Sequence, residues 1–293
     1  MSKIKIAYLI LAHKKPSQII RLINKLNTHD NLFFIHYDKK SPKKEYNYLS
    51  RYFNNWKNVF FTKKRYKVSW AQFSMVHAMQ ELMKTSINSK KNFDYAIFIS
   101  GEHYPIKKNQ EIENCLRINK SFLYYFDIFE KVNKKEQPYA IAERIEKWHF
   151  KFLGKIIKFP PNNFPIVLKR RLLKGITFYK GNNWHILKKE HLIYTYNFSI
   201  NNKKFYKFFK LTKHSDELYF NTILLNSKYK NDIINKSLVF VIWLKNTKHP
   251  GHPETILKKD FNTLKNSNEL FARKFNPDID SEILDLIDKK LLS

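Results

Sequence analysis

Apolar residues follow two rhythms in the first half of the chain, and the rhythms alternate. Short uninterrupted apolar runs, rich in β-branched and aromatic residues, read as strands buried in a sheet. They fall at 4–12, 31–38 (NLFFIHYD), 58–62 (NVFFT), 94–99 and 121–126. Between them lie stretches of helical period. One runs from Ser17 to Leu26, entered through Pro16, where a first helical turn tolerates proline. Others cover 43–54, 108–118 and Trp70 to Thr85, the last with Phe73, Val76, Met79 and Met83 on one face. Strand and helix in alternation predict an α/β fold with a mostly parallel central sheet, flanked by helices and joined by right-handed crossovers.

The pattern loosens between 128 and 183. The three prolines of KFPPNNFP (158–165) forbid a continuous helix or a central strand there, so an insertion or long functional loop is expected rather than a second domain. Order returns with a strand at 183–187, a helix from Lys188 and a helix from Ser215 to Leu225. A strand at 237–243, a loop holding His249, Pro250, Gly251, His252 and Pro253, and a final helix after Asp278 complete the chain. No internal repeat is visible.

Composition narrows the class. With 43% hydrophobic and 16% aromatic residues among 293, the chain has the means to bury a large core and is not disordered. Five glycines and one cysteine exclude collagen-like, disulfide-framework and cysteine-rich zinc architectures. Cys115 alone cannot form an intrachain disulfide, which suits a reducing compartment. The apolar run after the first lysines has no small-residue cleavage site behind it and is far shorter than the roughly 20 residues of a spanning helix. A soluble or peripheral protein is therefore expected.

Charge adds a second constraint. Lys and Arg number 55 against 25 acids, a formal charge of +30. Such a field attracts nucleic acid, an acidic membrane surface or a phosphorylated substrate. Lysines interleaved with aromatics favour nucleic acid, but no zinc-finger spacing, RNP motif or arginine-rich tract supports it. A solvated basic surface, partly a product of A/T-rich coding, and a face turned to anionic lipid both remain open.

Three segments could carry chemistry. In FDYAIFISGEHYPIKKNQEI (93–112) a strand ends in Ser100, Gly101, Glu102, His103, Tyr104 and Pro105, followed by Lys107 and Lys108. Ligands of open α/β sheets bind beyond the carboxyl ends of strands, so this is either a site or an ordinary strand-to-helix turn. In HSDELYFNTILLNS (214–227) Ser215 or Asp216 can cap a helix and leave Glu217 in its first turn, as a dipole-favoured acid or as a general base. In NELFARKFNPDID (268–280) Arg273 and Lys274 lie between Phe271 and Phe275, either meeting an anion such as a diphosphate or protecting an edge strand. The histidines His13, His36, His103, His249 and His252 include one pair spaced by three, but prolines flank it without cysteine, and zinc is not expected. No D-x-D pair, glycine-rich phosphate loop or H-E-x-x-H is read along the chain, so the charge of a nucleotide diphosphate would fall to Lys and Arg.

Six segments occur in one order: AYLILAHKK (7–15), FIHYDKKS (34–41), VSWAQFSMVHAMQELM (68–83), ISGEHYPIKKNQEI (99–112), HSDELYFNTILLNS (214–227) and LFARKF (270–275). Together they resemble the core 2 / I-branching β-1,6-N-acetylglucosaminyltransferases, a family shared with the peptide O-xylosyltransferases. The likeness spans nearly the whole chain and is weakest over 128–180. It implies one glycosyltransferase domain of the nucleotide-sugar-binding GT-A fold, with 1–127 as the donor half and 128–293 as the acceptor and catalytic half. It further implies an inverting transfer from a UDP-sugar to a glycan hydroxyl, with no cofactor and no divalent metal. GlcNAc is the first expectation for the sugar and xylose the next.

The resemblance also distributes roles. Glu217 falls on the catalytic base, and Lys274 on the lysine that meets the diphosphate. A second basic residue is expected at Lys245, with Lys248 and Arg273 as alternatives. His13 and Asp38 fall on the uridine side, and Trp70 with Gly101, Glu102 and His103 on the donor side. Glu143, Trp148, Trp184 and Asp216 fall on the acceptor side. His103 departs from the family's usual Asp in S-G-x-D-Y/F-P, which leaves the donor sugar open. Without an anchor segment or cysteine pairs the chain looks like a bacterial, cytoplasmic relative, acting in surface polysaccharide or lipooligosaccharide synthesis on lipid-linked glycans at the inner membrane face. A nucleic-acid-binding protein and a non-catalytic sugar-binding relative are the rival expectations.

Overall fold

The computed structural model describes residues 3–135, 139–153, 155–162, 168–244 and 253–293. The apolar runs do become the sheet. Strands β1 (Ile6–Ala12), β2 (Leu32–Tyr37), β3 (Val59–Phe61) and β4 (Tyr95–Ser100) pair in parallel, and β1, β2 and β4 are buried at every residue. Alternate residues of β1 divide between two cores. Tyr8 and Ile10 pack with α1 (Pro16–Leu26), while Leu9 and Leu11 pack with α3 (Ser74–Asn88). A second helix, α2 (Lys43–Tyr52), links β2 to β3. Burial on both faces is what forbids polar alternation in these strands.

The helix expected from Trp70 begins four residues later, at Ser74. Ala71 takes a left-handed φ of 57°, which a helix cannot continue through, so Trp70 stands on the preceding loop. The run at 121–126 also divides. Its first part, β6 (Ser121–Leu123), stays in the main sheet, whereas β7 (Tyr125–Asp127) leaves it to pair with β10 (Tyr179–Gly181). The strand expected at 183–187 is β11 (Ile186–Lys188), and it runs antiparallel to both β4 and β6. With β12 (Ile233–Asn235) at one edge, the order is β12-β6-β11-β4-β1-β2-β3, mostly parallel as predicted.

Three further features position the site. Short strands β5 (Tyr104–Pro105), β13 (Val239–Val241) and β14 (Phe271–Arg273) make a small sheet with β14 in the middle. The edge-strand reading of 268–280 is thereby corrected: Phe271 and Ala272 are fully buried and paired on both sides. The loosely patterned middle holds α5 (Ile128–Asn133), α6 (Glu143–Glu146) and a hairpin of β8 (Trp148–Phe152) and β9 (Lys155–Phe159), which ends where Pro160 withdraws its N–H. The remaining helices are α4 (Asn109–Leu116), α7 (Lys189–Asn201), α8 (Lys203–Lys210), α9 (Tyr219–Leu225), α10 (Phe261–Lys265) and α11 (Glu282–Lys290). No helix among the described residues is long and apolar enough to cross a membrane.

Candidate functional site

The order β3-β2-β1-β4 leaves a crevice beyond the carboxyl ends of β1, β2 and β4. A cavity of about 560 Å³ opens there. His13 follows β1, Asp38 follows β2, and Ser100 and Glu102 come from the end of β4. Trp70, Met75, Trp184 and Arg273 close it from other parts of the chain. Of the expected donor residues, His13, Asp38, Trp70 and Glu102 therefore meet at one cavity.

Asp38 braces the crevice. Its carboxylate accepts the backbone N–H of Lys40 (2.7 Å) and Val68 (3.2 Å), tying the loop after β2 to the segment that carries Trp70. Arg65 donates to the carbonyls of Tyr37 (2.7 Å) and Asp38 (2.8 Å), adding a second clasp.

Three cations stand around Glu102. Lys14 Nζ lies 2.8 Å from its Oε1 and Lys274 Nζ 3.6 Å from the same oxygen. Burial opposes ionisation of Glu102, but the two ammonium groups and His13 outweigh it and hold the carboxyl below its ordinary range. Arg273 is the third. Its guanidinium lies 4.7 Å from the Trp184 ring centre, and its buried Nε has no hydrogen-bond partner among the described residues. Burial lowers the pKa of Arg273, with Glu102 opposing that shift. A buried guanidinium with an open donor at a cavity wall is suited to an anion.

Two expected donor residues do not face the cavity. Gly101 is required by packing: a Cβ there would come within 3.0 Å of Ile19 Cγ1 on α1. His103 is fully buried, its Nδ1 taking the Ser100 N–H at 3.0 Å, and its ring meets Trp184 edge-on at 4.4 Å. Burial, with Arg273 nearby, drives its pKa well below the usual imidazole value, so the ring is neutral. His103 supports Trp184 from behind. Trp184 itself moves from the acceptor side to the cavity wall, because β11 enters the sheet beside β4 and brings the preceding residues over Arg273.

Glu217 stands next to this cavity. The expected helix cap is absent: Ser215–Glu217 is a separate 3-10 turn, entered through His214 in the left-handed region, and α9 starts only at Tyr219. No side chain caps that turn. Two bonds fasten it to the cavity walls. His214 N donates to Ala71 O (3.1 Å), beside Trp70, and Asn183 Nδ2 donates to Asp216 Oδ2 (2.6 Å), beside Trp184. The Trp70 and His214 rings also meet edge-on at 4.6 Å. Asp216 is thus buried and turned toward Asn183, a positioning residue rather than an acceptor contact.

The two adjacent acids are driven apart. Glu217 Oε2 lies 2.8 Å from Arg144 Nη1 and 3.2 Å from Lys180 Nζ. Burial raises the pKa of Glu217, but Lys180, Arg144 and His214 together bring it below the ordinary value. For Asp216, burial and the negative charge of Glu217 push the pKa up to about 6. Glu217 is therefore the acid that stays ionised over a wide pH range.

Glu143 and Trp148 lie next to this turn along α6 and β8, but Glu143 is held by Lys147 (2.9 Å) and Lys158 (3.0 Å). Trp148 rests against Phe159 at the root of the hairpin. Lys245, Lys248, His249 and His252 lie outside the described residues. Asp278 and Asp280 have the D-x-D spacing of a metal-binding pair, contrary to the expectation that no such pair exists, yet their contacts are structural. Asp278 pairs with Lys15, and Asp280 accepts N–H groups of Lys258 and Ile283 at the start of α11. Among the described residues no group of three His, Cys, Asp or Glu gathers as a metal site.

Sequence reasoning missed Lys14, Arg144, Lys180 and Asn183. Lys14 lies in the segment AYLILAHKK and Arg144 is next to Glu143 in sequence, but their pairing with Glu102 and Glu217 is long-range. Lys180 and Asn183 carry no local signal.

The profile of Core-2/I-branching enzymes matches residues 6–265. A human probable β-1,3-galactosyl-O-glycosyl-glycoprotein β-1,6-N-acetylglucosaminyltransferase 7 is 29% identical over 63% of this chain and 41% of its own length. An Arabidopsis thaliana β-glucuronosyltransferase, GlcAT14B, is 24% identical over 98% of this chain and 66% of its own. Rat xylosyltransferase 2 is 24% identical over 97% of this chain and 33% of its own. The chain thus spans between a third and two thirds of the length of these relatives.

Proposed function

The chain belongs to the Core-2/I-branching enzyme family, and from that premise we propose that it is an inverting glycosyltransferase that moves a sugar from UDP to a glycan hydroxyl without a divalent metal. One observation carries the reading. The turn bearing an ionised Glu217 is fastened to both walls of a cavity lined by Arg273 and by Glu102, the carboxylate that Lys14 and Lys274 flank.

In this scheme UDP occupies the crevice, with its pyrimidine toward His13 and Asp38 and its diphosphate toward Arg273 and Lys274. The acceptor hydroxyl donates its proton to Glu217 as its oxygen forms a bond to the anomeric carbon. The bond from that carbon to the diphosphate oxygen breaks, and its electron pair leaves with UDP. Arg273 and Lys274 stabilise the charge that grows on the leaving group, the task a metal performs elsewhere. Cation pairing keeps Glu217 ready as a proton acceptor while weakening it as a base.

Donor choice falls to Glu102. The resemblance places a carboxylate where this chain has His103, but His103 is covered by Trp184, and the neighbouring Glu102 presents a carboxylate to the cavity instead. GlcNAc is the first candidate and xylose the second, and the relatives named for glucuronic acid and xylose transfer support testing all three sugars.

Calorimetric titration with UDP tests the proposal, repeated with excess EDTA and with UMP. Binding that survives EDTA and weakens markedly for UMP is expected. No binding of UDP under any condition would overturn the reading, and binding abolished by EDTA would overturn its metal-free part.

A further inference from the structure

We infer that the hairpin of β8 and β9 is a docking surface for an anionic phospholipid bilayer. The strand register pairs Trp148 with Phe159, Phe150 with Ile157, and Phe152 with Lys155. Because side chains alternate along strands, these residues share one face, while His149, Lys151, Ile156 and Lys158 lie on the other. His149 is buried against the body of the protein, so the ring-bearing face turns outward. Exposure rises from root to tip: Phe150 is 41% exposed, Phe152 61% and Leu153 86%. Large apolar side chains exposed side by side mark an interaction surface.

Charge identifies the partner. Residues 147–174 contain eight Lys or Arg (147, 151, 155, 158, 169, 170, 171 and 174) and no Asp or Glu. The nearest acids upstream, Glu143 and Glu146, are already engaged by Lys147, Lys158 and Lys169. Lys151 and Lys155 are exposed beside the apolar tip, and Arg171 and Lys174 are exposed in the segment that follows the hairpin. An apolar tip flanked by cations fits the boundary between acyl chains and anionic headgroups. Nucleic acid would satisfy the cations but not Leu153 and Ile157, whose aliphatic chains offer no stacking platform for bases.

Docking in this way has a consequence for the candidate site. The strand β8 follows directly on α6, whose Arg144 holds Glu217, and Lys158 of β9 holds Glu143. A bilayer at the hairpin therefore lies on the Glu217 side of the cavity, where a lipid-carried acceptor would meet it. That consequence rests on the proposed transferase reading; the docking does not.

The test is flotation of the whole chain with vesicles of phosphatidylcholine alone, and of phosphatidylcholine mixed in equal parts with phosphatidylglycerol. Flotation with the mixed vesicles only, falling as salt rises, is expected. Two double variants probe the hairpin: Phe152→Ser with Leu153→Asn, where Asn tolerates the local φ of 44°, and Lys151→Ser with Lys155→Ser. Each should keep the thermal midpoint of the parent. The lysine pair should weaken partitioning about fivefold per residue, and the apolar pair at least as much. Absence of flotation, or flotation indifferent to both double variants, would overturn the inference. So would hairpin-dependent binding of a single-stranded oligonucleotide by a protein that ignores vesicles. UDP titration of the same samples reports separately on the transferase reading, so the two can fail independently.

Discussion

Replacing Glu217 by Gln removes a charge and a proton acceptor while keeping nearly the same shape. The structure separates those effects. Glu217 is not among the residues lining the 560 Å³ cavity, so UDP affinity should stay at the parent level. Arg144 and Lys180 lose a partner at 2.8 and 3.2 Å, but both side chains keep about a fifth of their exposure, and water can replace the carboxylate. The stability cost is then only about 1 kcal/mol. Turnover should fall far more, by about 10²–10⁴-fold, the usual contribution of a positioned base. The assay is UDP release at saturating donor, alongside UDP calorimetry and a thermal midpoint. The pH profile adds an independent check. Glu217 is held below its ordinary value of 4.5, whereas Asp216 is raised to about 6. If Glu217 is the base, the acid limb of kcat/KM lies below 4.5, and activity is flat through pH 6. Near-normal turnover of the Gln variant with intact UDP binding, or an acid limb near 6 that Asp216→Asn abolishes, would refute the assignment.

Other outcomes follow from the same contacts. Arg273→Ala should weaken UDP about 10–100-fold by calorimetry, because a charged hydrogen bond is lost from a desolvated site; unchanged affinity would remove Arg273 from the diphosphate site. Lys274→Ala should both weaken UDP and slow turnover, since that contact exists before and during departure of the leaving group. Asp216 has a folded pKa of about 6, above the ordinary 3.8, so folding disfavours its ionised form and the protein loses stability as pH rises from 3.8 through 6. The stability of the parent relative to Asp216→Asn should therefore improve as pH falls from 7 to 4, by at most roughly 3 kcal/mol; a difference independent of pH in chemical denaturation would contradict the raised pKa. Gly181→Ala should destabilise by about 3 kcal/mol, because a Cβ there would sit 2.0 Å from Tyr124 O and 2.5 Å from Asn221 Nδ2. A thermal midpoint equal to that of the parent would show that the β7–β10 pairing yields more easily than its packing implies.

Local pattern was informative where burial is uniform. The strands at 4–12, 31–38 and 94–99 were legible because a strand buried on both faces must be apolar throughout. It was less informative where one residue overrides its surroundings. Ala71 in the left-handed region starts α3 late and frees Trp70 for the cavity rim, and His214 in the same region makes Glu217 part of a 3-10 turn rather than a helix. Periodicity has no term for such positions. The helix α8 went unread among closely spaced lysines and phenylalanines, although its apolar face is buried through Phe205, Phe208 and Phe209.

The alternation of buried strand and helix, the excess of cations, the absence of a disulfide framework, the acid at 217 and the basic pair at 273–274 are all legible in the residue order. Those properties reside in residue type and short-range order. Which charges meet was settled by the packing of distant segments: Glu217 with Arg144 and Lys180, Glu102 with Lys14 and Lys274. The same packing sets β11 antiparallel beside β4, which brings Trp184 over Arg273 and buries His103 beneath it. The physical reason is that strand direction and partner choice are set by packing between residues distant in sequence. Two chains with the same local pattern can therefore bring different side chains to one cavity.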